Sequence, residues 1–234
     1  MTIIGNELGL CLGFDINICH GINLEKSCNP SWTVDIICTS YARIGPLKVL
    51  VQSILNQSDV NWKLHVIHDG PNNDFSELSN DDLFRRNAVR LKMECSLKRF
   101  NDYGHSLREI GLSSSRGDYV LITNDDNYYV PHMLRAVNHA IAMHRPDMVM
   151  FDMIHSHECP GGRLHESYQF FPTHFALNEI DMGCLLVRGN LARSVGFGSK
   201  RYSADWDYFS ACASSPDCKN VKLVKIPKVL FVHN

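Results

Sequence analysis

Residues 33–70, TVDIICTSYARIGPLKVLVQSILNQSDVNWKLHVIHDG, decide the fold class of this chain. The first six residues form an apolar run rich in β-branched side chains, which is typical of a buried strand. Gly45-Pro46 then opens a helix, because proline at an early helical position loses no hydrogen bond. A second strand follows at 63–68 and ends at Asp69-Gly70-Pro71. Strand, helix and strand with such short joints predict a right-handed βαβ unit.

The same alternation continues towards the C-terminus. It predicts strands at 88–93, 118–123, 147–152 and 182–187, one or two strands within 221–232, and helices at 107–114, 131–144 and 204–213. Residues 1–31 show no persistent period and are interpreted as an extension of unknown role. Residues from about 155 to 178 are polar and predict a long mobile loop. The fold prediction is an α/β domain with a mostly parallel central sheet flanked by helices.

Composition narrows the class of protein further. The 234 residues are 44% hydrophobic and 21% charged, which is ordinary globular usage. The formal net charge of -2 shows no basic excess, so we expect no nucleic-acid partner. No apolar run is long enough for a membrane span, and the N-terminal stretch has no basic region typical of a signal peptide. Nine cysteines without a C-x-x-C pair favour reduced thiols in the cytoplasm, with a disulfide among Cys11, Cys19 and Cys28 as the alternative.

Polar side chains follow three of the predicted strands. Ligands of open α/β sheets bind beyond the carboxyl ends of the strands, so these side chains should converge on one edge. The three groups are Thr39, Ser40, Tyr41 and Arg43; His68 and Asp69; and Asn124, Asp125 and Asp126. Residues 39–41 and Asp69 are suited to grip a nucleotide base.

The run Asn124-Asp125-Asp126-Asn127 is the sharpest single signal. On an extended segment, Asn124 and Asp126 would point to one face and Asp125 to the other. Two hard oxygens on one face suit Mg²⁺ or Mn²⁺, which would also take diphosphate oxygens. The alternative is a polar turn that closes a strand, because Asn and Asp are common turn residues.

Glycine patterns exclude several nucleotide-binding and hydrolase classes. The chain contains no G-x-G-x-x-G after its first strand, no G-x-x-x-x-G-K-[ST], and no G-x-S-x-G. These absences argue against a dinucleotide site, a P-loop and an α/β-hydrolase, respectively.

Seven segments in order resemble the family 2 type of GT-A fold glycosyltransferases, which use nucleotide sugars. They are VDIICTSYAR (34–43), VIHDG (66–70), GHSLREIG (104–111), RGDYVLITNDD (116–126), YVP (129–131), ADWD (204–207) and VHN (232–234). The resemblance implies a single GT-A domain at 32–234, with a nucleotide-binding half at 32–127 and an acceptor-binding half at 128–234.

The resemblance also implies residue roles. Thr39, Tyr41, Asp69 and nearby Arg43 would contact the nucleoside, and Arg108 would face the diphosphate. The family's D-x-D motif aligns with Asn124-Asp125-Asp126, where Asn replaces the first Asp, so the implied metal ligands are Asp126 and His233. The catalytic base aligns with Asp205, with Asp207 as the alternative.

The activity implied is metal-dependent, inverting transfer of a sugar from a nucleotide-diphosphate donor to a hydroxyl group. The donor expected is a UDP-sugar, the cofactor Mn²⁺ or Mg²⁺, and the acceptor a saccharide or lipid-linked saccharide. A cytoplasmic location, with a peripheral position at a membrane surface as a variant of it, is consistent with such acceptors.

Several side chains keep two interpretations. Trp206 is either a stacking platform for a sugar or core, and Met182 and Gly183 either approach the donor sugar or pack. The alternation His155, His157 and Cys159 is a pattern that zinc uses, whereas its polar neighbours favour a solvated loop.

Two further functions stay open at this point. One is a catalytically impaired domain that only binds a nucleotide sugar, which the Asn124 replacement makes worth considering. The other is a sugar-phosphate nucleotidyltransferase, which residues 39–45 disfavour because they contain one Gly and one Arg rather than a Gly-rich basic loop.

Overall fold

The secondary structure of the chain alternates strands and helices in a computed structural model, which describes residues 16–20, 32–58, 61–160, 164–218 and 220–234. The strands are β1 (Ile16–Ile18), β2 (Thr33–Ser40), β3 (Asn61–His68), β4 (Leu91–Cys95), β5 (Tyr119–Asn124), β6 (Tyr128–Tyr129), β7 (Met148–His155), β8 (Gln169–Phe171), β9 (Leu185–Arg188) and β10 (Leu223–His233). The helices are α1 (Ile44–Leu55), α2 (Asn73–Glu77), α3 (Asp82–Arg85), α4 (His105–Ser114), α5 (Met133–His144), α6 (Gly189–Val195) and α7 (Ala204–Ala213).

One mixed sheet runs through the molecule in the order β1-β10-β7-β9-β5-β2-β3-β4, with β6 paired to β10 and β8 to β7. The pairs β2–β3, β2–β5, β3–β4, β7–β10 and β1–β10 are parallel. Strand β9 lies antiparallel between β5 and β7 and joins the two parallel parts. The predicted α/β fold with a mostly parallel sheet is therefore confirmed.

The sequence prediction differs from the structure at several elements. Strand β8 lies within the loop predicted at 155–178, because it gains its hydrogen bonds from β7. The elements β6, α2, α3 and α6 were not predicted. Among the described residues, regular structure begins at β1 rather than at Trp32, because Ile16–Ile18 gains its hydrogen bonds from β10 and is too short to show a period. The predicted strand at 182–187 begins instead with a 3₁₀ turn, Met182–Cys184, and becomes extended only from Leu185. Cys19 is a free, buried thiol, whereas Cys11 and Cys28 lie outside the described residues.

The core forms where the helical stripes meet the sheet. Helix α1 buries Leu47, Leu50, Val51 and Ile54, whose spacing matches the helical period and places them on one face. Strands β2 and β5 pair in register in the middle of the sheet, where their apolar side chains are almost wholly removed from water. This buried centre gives a rigid base to the loops that follow β2, β3 and β5.

Glycine at position 111 allows helix α4 to lie close to β2. A Cβ atom added to Gly111 would lie 2.3 Å from Cγ2 of Ile37, which is itself fully buried. We expect Gly111→Ala to lower the free energy of unfolding by about 1–3 kcal/mol, because the helix must move off the sheet. Urea denaturation measures this change.

Gly45→Ala is the matched control for that prediction, because Gly45 also lies in a helix but a Cβ atom there meets nothing within 4 Å. This variant should change the free energy of unfolding by less than about 1 kcal/mol, since alanine restricts the unfolded chain but is disfavoured in a helical conformation before Pro46. Equal destabilisation by both substitutions would contradict the steric explanation.

Candidate active site

An open cavity of about 760 Å³ lies at the carboxyl ends of β2, β3 and β5. Ten of the residues predicted from the sequence line it: Thr39, Ser40, Tyr41, Arg43, Asp69, Arg108, Asn124, Asp205, Trp206 and His233. Asp125, Asp126, Met182, Gly183 and Asp207 are not part of its lining. Parallel strands account for the convergence of the residues that follow β2, β3 and β5, since the carboxyl ends of these strands meet at one edge of the sheet. Helix α4 contributes Arg108, and α7 contributes Asp205 and Trp206.

The run that follows β5 is held by hydrogen bonds and ion pairs within the chain. The side-chain oxygen of Asn124 accepts hydrogen bonds from Thr39 Oγ1 at 3.1 Å and from Arg108 Nη2 at 3.0 Å. Asp125 is fully buried, accepts the backbone N–H of Tyr41 at 3.1 Å, and pairs with Arg43 Nη2 at 2.7 Å. Burial raises the pKa of Asp125, and the charge of Arg43 opposes that rise.

Arg43 also pairs with Asp126, so one guanidinium group touches both carboxylates. The alternation expected for residues 124–126 does not continue past Asn124, because β5 ends there and a turn follows. Asn124 therefore faces the cavity, whereas Asp125 and Asp126 face Arg43.

Asp69 and Tyr41 mark one end of the cavity. Both carboxylate oxygens of Asp69 accept backbone N–H groups, from Phe100 at 2.7 Å and from Asn101 at 3.0 Å. The guanidinium of Arg99 lies 4.0 Å above the ring of Tyr41, a cation–π contact that sequence reasoning missed. Asp69 thus holds the segment that carries Arg99 against the cavity.

Arg108 places a buried positive charge in the cavity wall. Its side chain lies in the first turns of α4, and the residue is only 5% exposed. The Nη1 atom lies 2.8 Å from Nδ1 of His105, and the guanidinium lies 5.3 Å from the ring centroid of Phe197. Its Nε atom is buried without a hydrogen-bond partner among the described residues. A buried cation with neutral partners is suited to receive an anion.

Asp205 lies across the same cavity, in the first turn of α7. Its Oδ2 atom accepts the backbone N–H of Met182 at 3.1 Å. Burial and the nearby carboxylate of Asp181 raise its pKa to about 6, although Arg108 and His233 act in the opposite direction. Such a carboxylate is ionised at neutral pH and is basic enough to accept a proton.

Asp207 lies outside the cavity lining although it is only two residues away. Its carboxylate accepts a hydrogen bond from Ser199 Oγ at 2.6 Å and pairs with Arg201 at 3.1 Å. Residues two apart on a helix face different directions, which separates these two aspartates.

Of the three residues considered for sugar binding, Trp206 lines the cavity, whereas Met182 and Gly183 are buried outside its lining. Trp206 lines the cavity, and its ring centroid lies 5.4 Å from that of Phe175. Met182 and Gly183 are buried, and a Cβ atom on Gly183 would lie 2.5 Å from Phe231. The geometry of Met182 and Gly183 is that of close packing beneath the cavity.

Three histidines meet at the far end of the cavity. One ligand atom each of His155, His157 and His233 lies within 4.8 Å of the other two. The rings of His155 and His233 stack at 4.4 Å, and burial with the charge of His233 lowers the pKa of His155 to about 4. Cys159 also lines the cavity but does not belong to this group.

A cavity at the carboxyl ends of parallel strands is where α/β folds bind their ligands, and comparison with known proteins identifies the class of this chain. The family model "Glycosyl transferase family 2" matches residues 35–186, which is more than half of the chain. The chain therefore belongs to glycosyl transferase family 2, a family of enzymes of the glycosyltransferase type.

One relative in sequence and two solved structures are similar to this chain, at identities of 14–28%. An uncharacterized glycosyltransferase of Rickettsia bellii (strain RML369-C) is 28% identical over 112 residues, which are 48% of this chain and 15% of that protein. S. aureus TarS 1-349 superposes with a TM-score of 0.65 at 16% identity, over 86% of this chain and 60% of that one. The mannosyltransferase PcManGT of Pyrobaculum calidifontis, solved with GDP-Man and Mn²⁺, has a TM-score of 0.62 at 14% identity, over 94% of this chain and 59% of that one. At these identities the two structures establish the fold.

The described residues contain no helix that is both long and apolar enough to cross a membrane.

Proposed function

We propose that the chain moves a sugar from a nucleotide-diphosphate donor, with a UDP-sugar favoured, to a hydroxyl group of a saccharide or lipid-linked saccharide. The single observation that carries this proposal is a pair of opposite charges in one cavity, the buried Arg108 and the half-buried Asp205. Arg108 suits the diphosphate of a donor, and Asp205 suits the hydroxyl proton of an acceptor.

The donor would lie along the ends of β2, β3 and β5. Its base would be received near Asp69 and the Tyr41–Arg99 pair, and its ribose near Thr39 and Ser40. The class of donor is supported by the related folds: TarS was solved with UDP and with UDP-GlcNAc, and PcManGT with GDP-Man.

The transfer step exchanges one carbon–oxygen bond for another. The acceptor oxygen attacks the anomeric carbon from the face opposite the diphosphate, and the bond to the diphosphate oxygen breaks with its electron pair. Asp205 takes the proton from the attacking hydroxyl group. Attack in line with the leaving group inverts the anomeric centre. Arg108 stabilises the negative charge that grows on the leaving group.

Of the two metal ligands implied by the family resemblance, His233 is available to a divalent cation, whereas Asp126 is paired with Arg43. When bound, Mn²⁺ or Mg²⁺ neutralises charge on the leaving diphosphate. His233 would be a ligand in either of two sets, with Asp126 or with His155 and His157. Asp126 already pairs with Arg43, so that carboxylate would first have to leave the guanidinium.

The two halves of the domain would have separate roles in binding. Residues 32–127 would form the donor-binding half and residues 128–234 the acceptor-binding half, with Trp206 as the sugar platform and residues 155–178 as the cover. Membership of the transferase family favours this function over a sugar-phosphate nucleotidyltransferase. We propose a cytoplasmic location for the enzyme, with a peripheral position at a membrane surface as a variant of it.

Calorimetric titration tests the donor class. We expect UDP to bind at least tenfold more tightly than GDP, because Asp69 would accept a hydrogen bond from the ring N–H of uracil and TarS was solved with UDP. Mn²⁺ should tighten the binding of UDP, and a chelator should reverse that effect. Uridine serves as the control ligand that lacks the diphosphate.

Absence of binding for both nucleotides, with and without metal, would overturn the proposed function. If GDP binds more tightly than UDP, the proposed sugar transfer still stands, but the donor would be a GDP-sugar.

A further inference from the structure

The histidine group arises from two neighbouring parallel strands. Strands β7 and β10 pair in register, and His155 is the partner of His233 at their carboxyl ends. His157 follows two residues beyond His155, and its ring lies 5.1 Å from that of His233. The fold itself therefore brings three imidazole rings to one corner of the cavity.

Groups around the histidines favour a metal over a chance cluster. The Nε2 atom of His233 faces Oδ2 of Asp181 at 3.5 Å, while its Nδ1 atom is buried without a hydrogen-bond partner among the described residues. A carboxylate beside one imidazole nitrogen orients the other towards a metal, as is common around metal-bound histidine. His165 lies 6.1 Å from His155, and both of its ring nitrogens are likewise buried and unpartnered in the described part of the chain.

The acidic run offers a weaker set of ligands. The side-chain oxygen of Asn124 already accepts two hydrogen bonds, and Arg43 touches both Asp125 and Asp126. A cation there would have to displace a guanidinium group whose charge already neutralises the carboxylates. Asp126 does not belong to the group of metal-ligating side chains found among the described residues.

We propose that His155, His157 and His233 hold the divalent cation of this enzyme, and that the site prefers Zn²⁺ and Co²⁺ to Mn²⁺ and binds Mg²⁺ most weakly. Imidazole ligands suit transition metals, whereas Mg²⁺ requires oxygen ligands, so the order follows from the ligand set. This inference rests on the proposed transfer from a nucleotide sugar.

Binding requires a local rearrangement. The backbone N–H of His157 donates to Nδ1 of His155 at 3.1 Å, so the His155 ring must turn over or release that bond. Ligand nitrogens around a tetrahedral Zn²⁺ lie about 3.3 Å apart, given Zn–N bonds of about 2.0–2.1 Å. The three side chains must therefore close from separations of up to 4.8 Å.

Metal titration without nucleotide tests the site directly. Co²⁺ binding is followed by its visible absorption, and Zn²⁺, Mn²⁺ and Mg²⁺ by calorimetry. We expect one Co²⁺ or Zn²⁺ per chain, and Mg²⁺ binding at least 100-fold weaker. His157→Ala should weaken Co²⁺ binding at least tenfold. His157 is exposed, so its replacement should leave the fold intact.

Two variants separate the alternatives. Cys159→Ala tests the H-x-H-x-C pattern and Asp126→Asn tests the acidic run, and both should change Co²⁺ affinity by less than about twofold. The proposal is overturned if Asp126→Asn abolishes binding while His157→Ala does not, if Mg²⁺ binds as tightly as Zn²⁺, or if the nucleotide-free chain binds none of these cations.

A parallel titration with UDP distinguishes this failure from failure of the proposed function. Mn²⁺-dependent UDP binding that is lost in Asp126→Asn would retain the transferase function and reject the histidine site. Co²⁺ binding by the histidines without binding of any nucleotide would retain the histidine site and reject the transferase function.

Discussion

Asp205→Asn is expected to lower the rate of sugar transfer about 10³-fold, with little change in the affinity for UDP. Asparagine keeps an oxygen that can accept the N–H of Met182, so the local structure should persist. It cannot accept the acceptor proton. Single-turnover transfer from a radiolabelled nucleotide sugar measures the loss, and calorimetry with UDP measures the retained affinity.

Asp207→Asn is the matched control on the same helix. Its carboxylate is occupied by Ser199 and Arg201 and does not line the cavity, so we expect transfer within a few-fold of wild type. If Asp207→Asn inactivates the enzyme and Asp205→Asn does not, the two roles must be exchanged.

The substitution Asp205→Asn should also make the protein more stable at neutral pH. Burial and Asp181 raise the pKa of Asp205 to about 6, so its protonated form is favoured in the fold. That stabilising contribution is complete below the unfolded pKa of about 3.9 and is lost as the pH rises through 6. At pH 7 wild type therefore carries an unfavourable charge, and Asp205→Asn should gain on the order of 1–3 kcal/mol. The difference should vanish near pH 3.5.

The pH profile of wild type gives an independent reading of the same carboxyl group. Transfer should decline as the pH falls through about 6, because protonated Asp205 cannot act as a base. A profile that stays flat down to pH 4.5 would contradict Asp205 as the base.

Arg108→Met should weaken UDP binding by about 10- to 100-fold. A charge-assisted hydrogen bond to a buried guanidinium contributes about 1.5–3 kcal/mol, and methionine fills a similar volume without the charge. Arg108→Lys should fall between methionine and wild type, because lysine keeps the charge but loses the fork that reaches His105 and Asn124.

Ligand and protein controls make this prediction specific to the diphosphate. Uridine should bind wild type and Arg108→Met equally, since it lacks the anionic group. Arg85→Met removes an exposed guanidinium on α3 that pairs with exposed Asp82, and it should leave UDP affinity unchanged. Equal loss of uridine and UDP would show that Arg108 shapes the cavity rather than binding phosphate.

Local patterns were sufficient for most of the fold. Four apolar residues of α1 lie buried, and the predicted strands at 33–38 and 63–68 lie within β2 and β3. The predicted strand at 118–123 overlaps β5, which begins one residue later, at Tyr119. These elements are long and strongly periodic, so their own sequence determines them. The short edge strand β1 and the 3₁₀ turn at Met182–Cys184 escaped prediction, because both depend on partners far away in the chain.

The residues of the candidate site also fall into two groups, those that local sequence predicts and those that only the tertiary structure reveals. The sequence by itself determined the family and the polar residues after β2, β3 and β5, because the carboxyl ends of parallel strands must meet. Only the tertiary structure decided that Asp205 faces the cavity and Asp207 does not, and that Arg43 holds both Asp125 and Asp126. It also decided that His155 and His233, 78 positions apart, are register partners. Strand order and side-chain direction set these contacts, and neither is encoded in the local period of the chain.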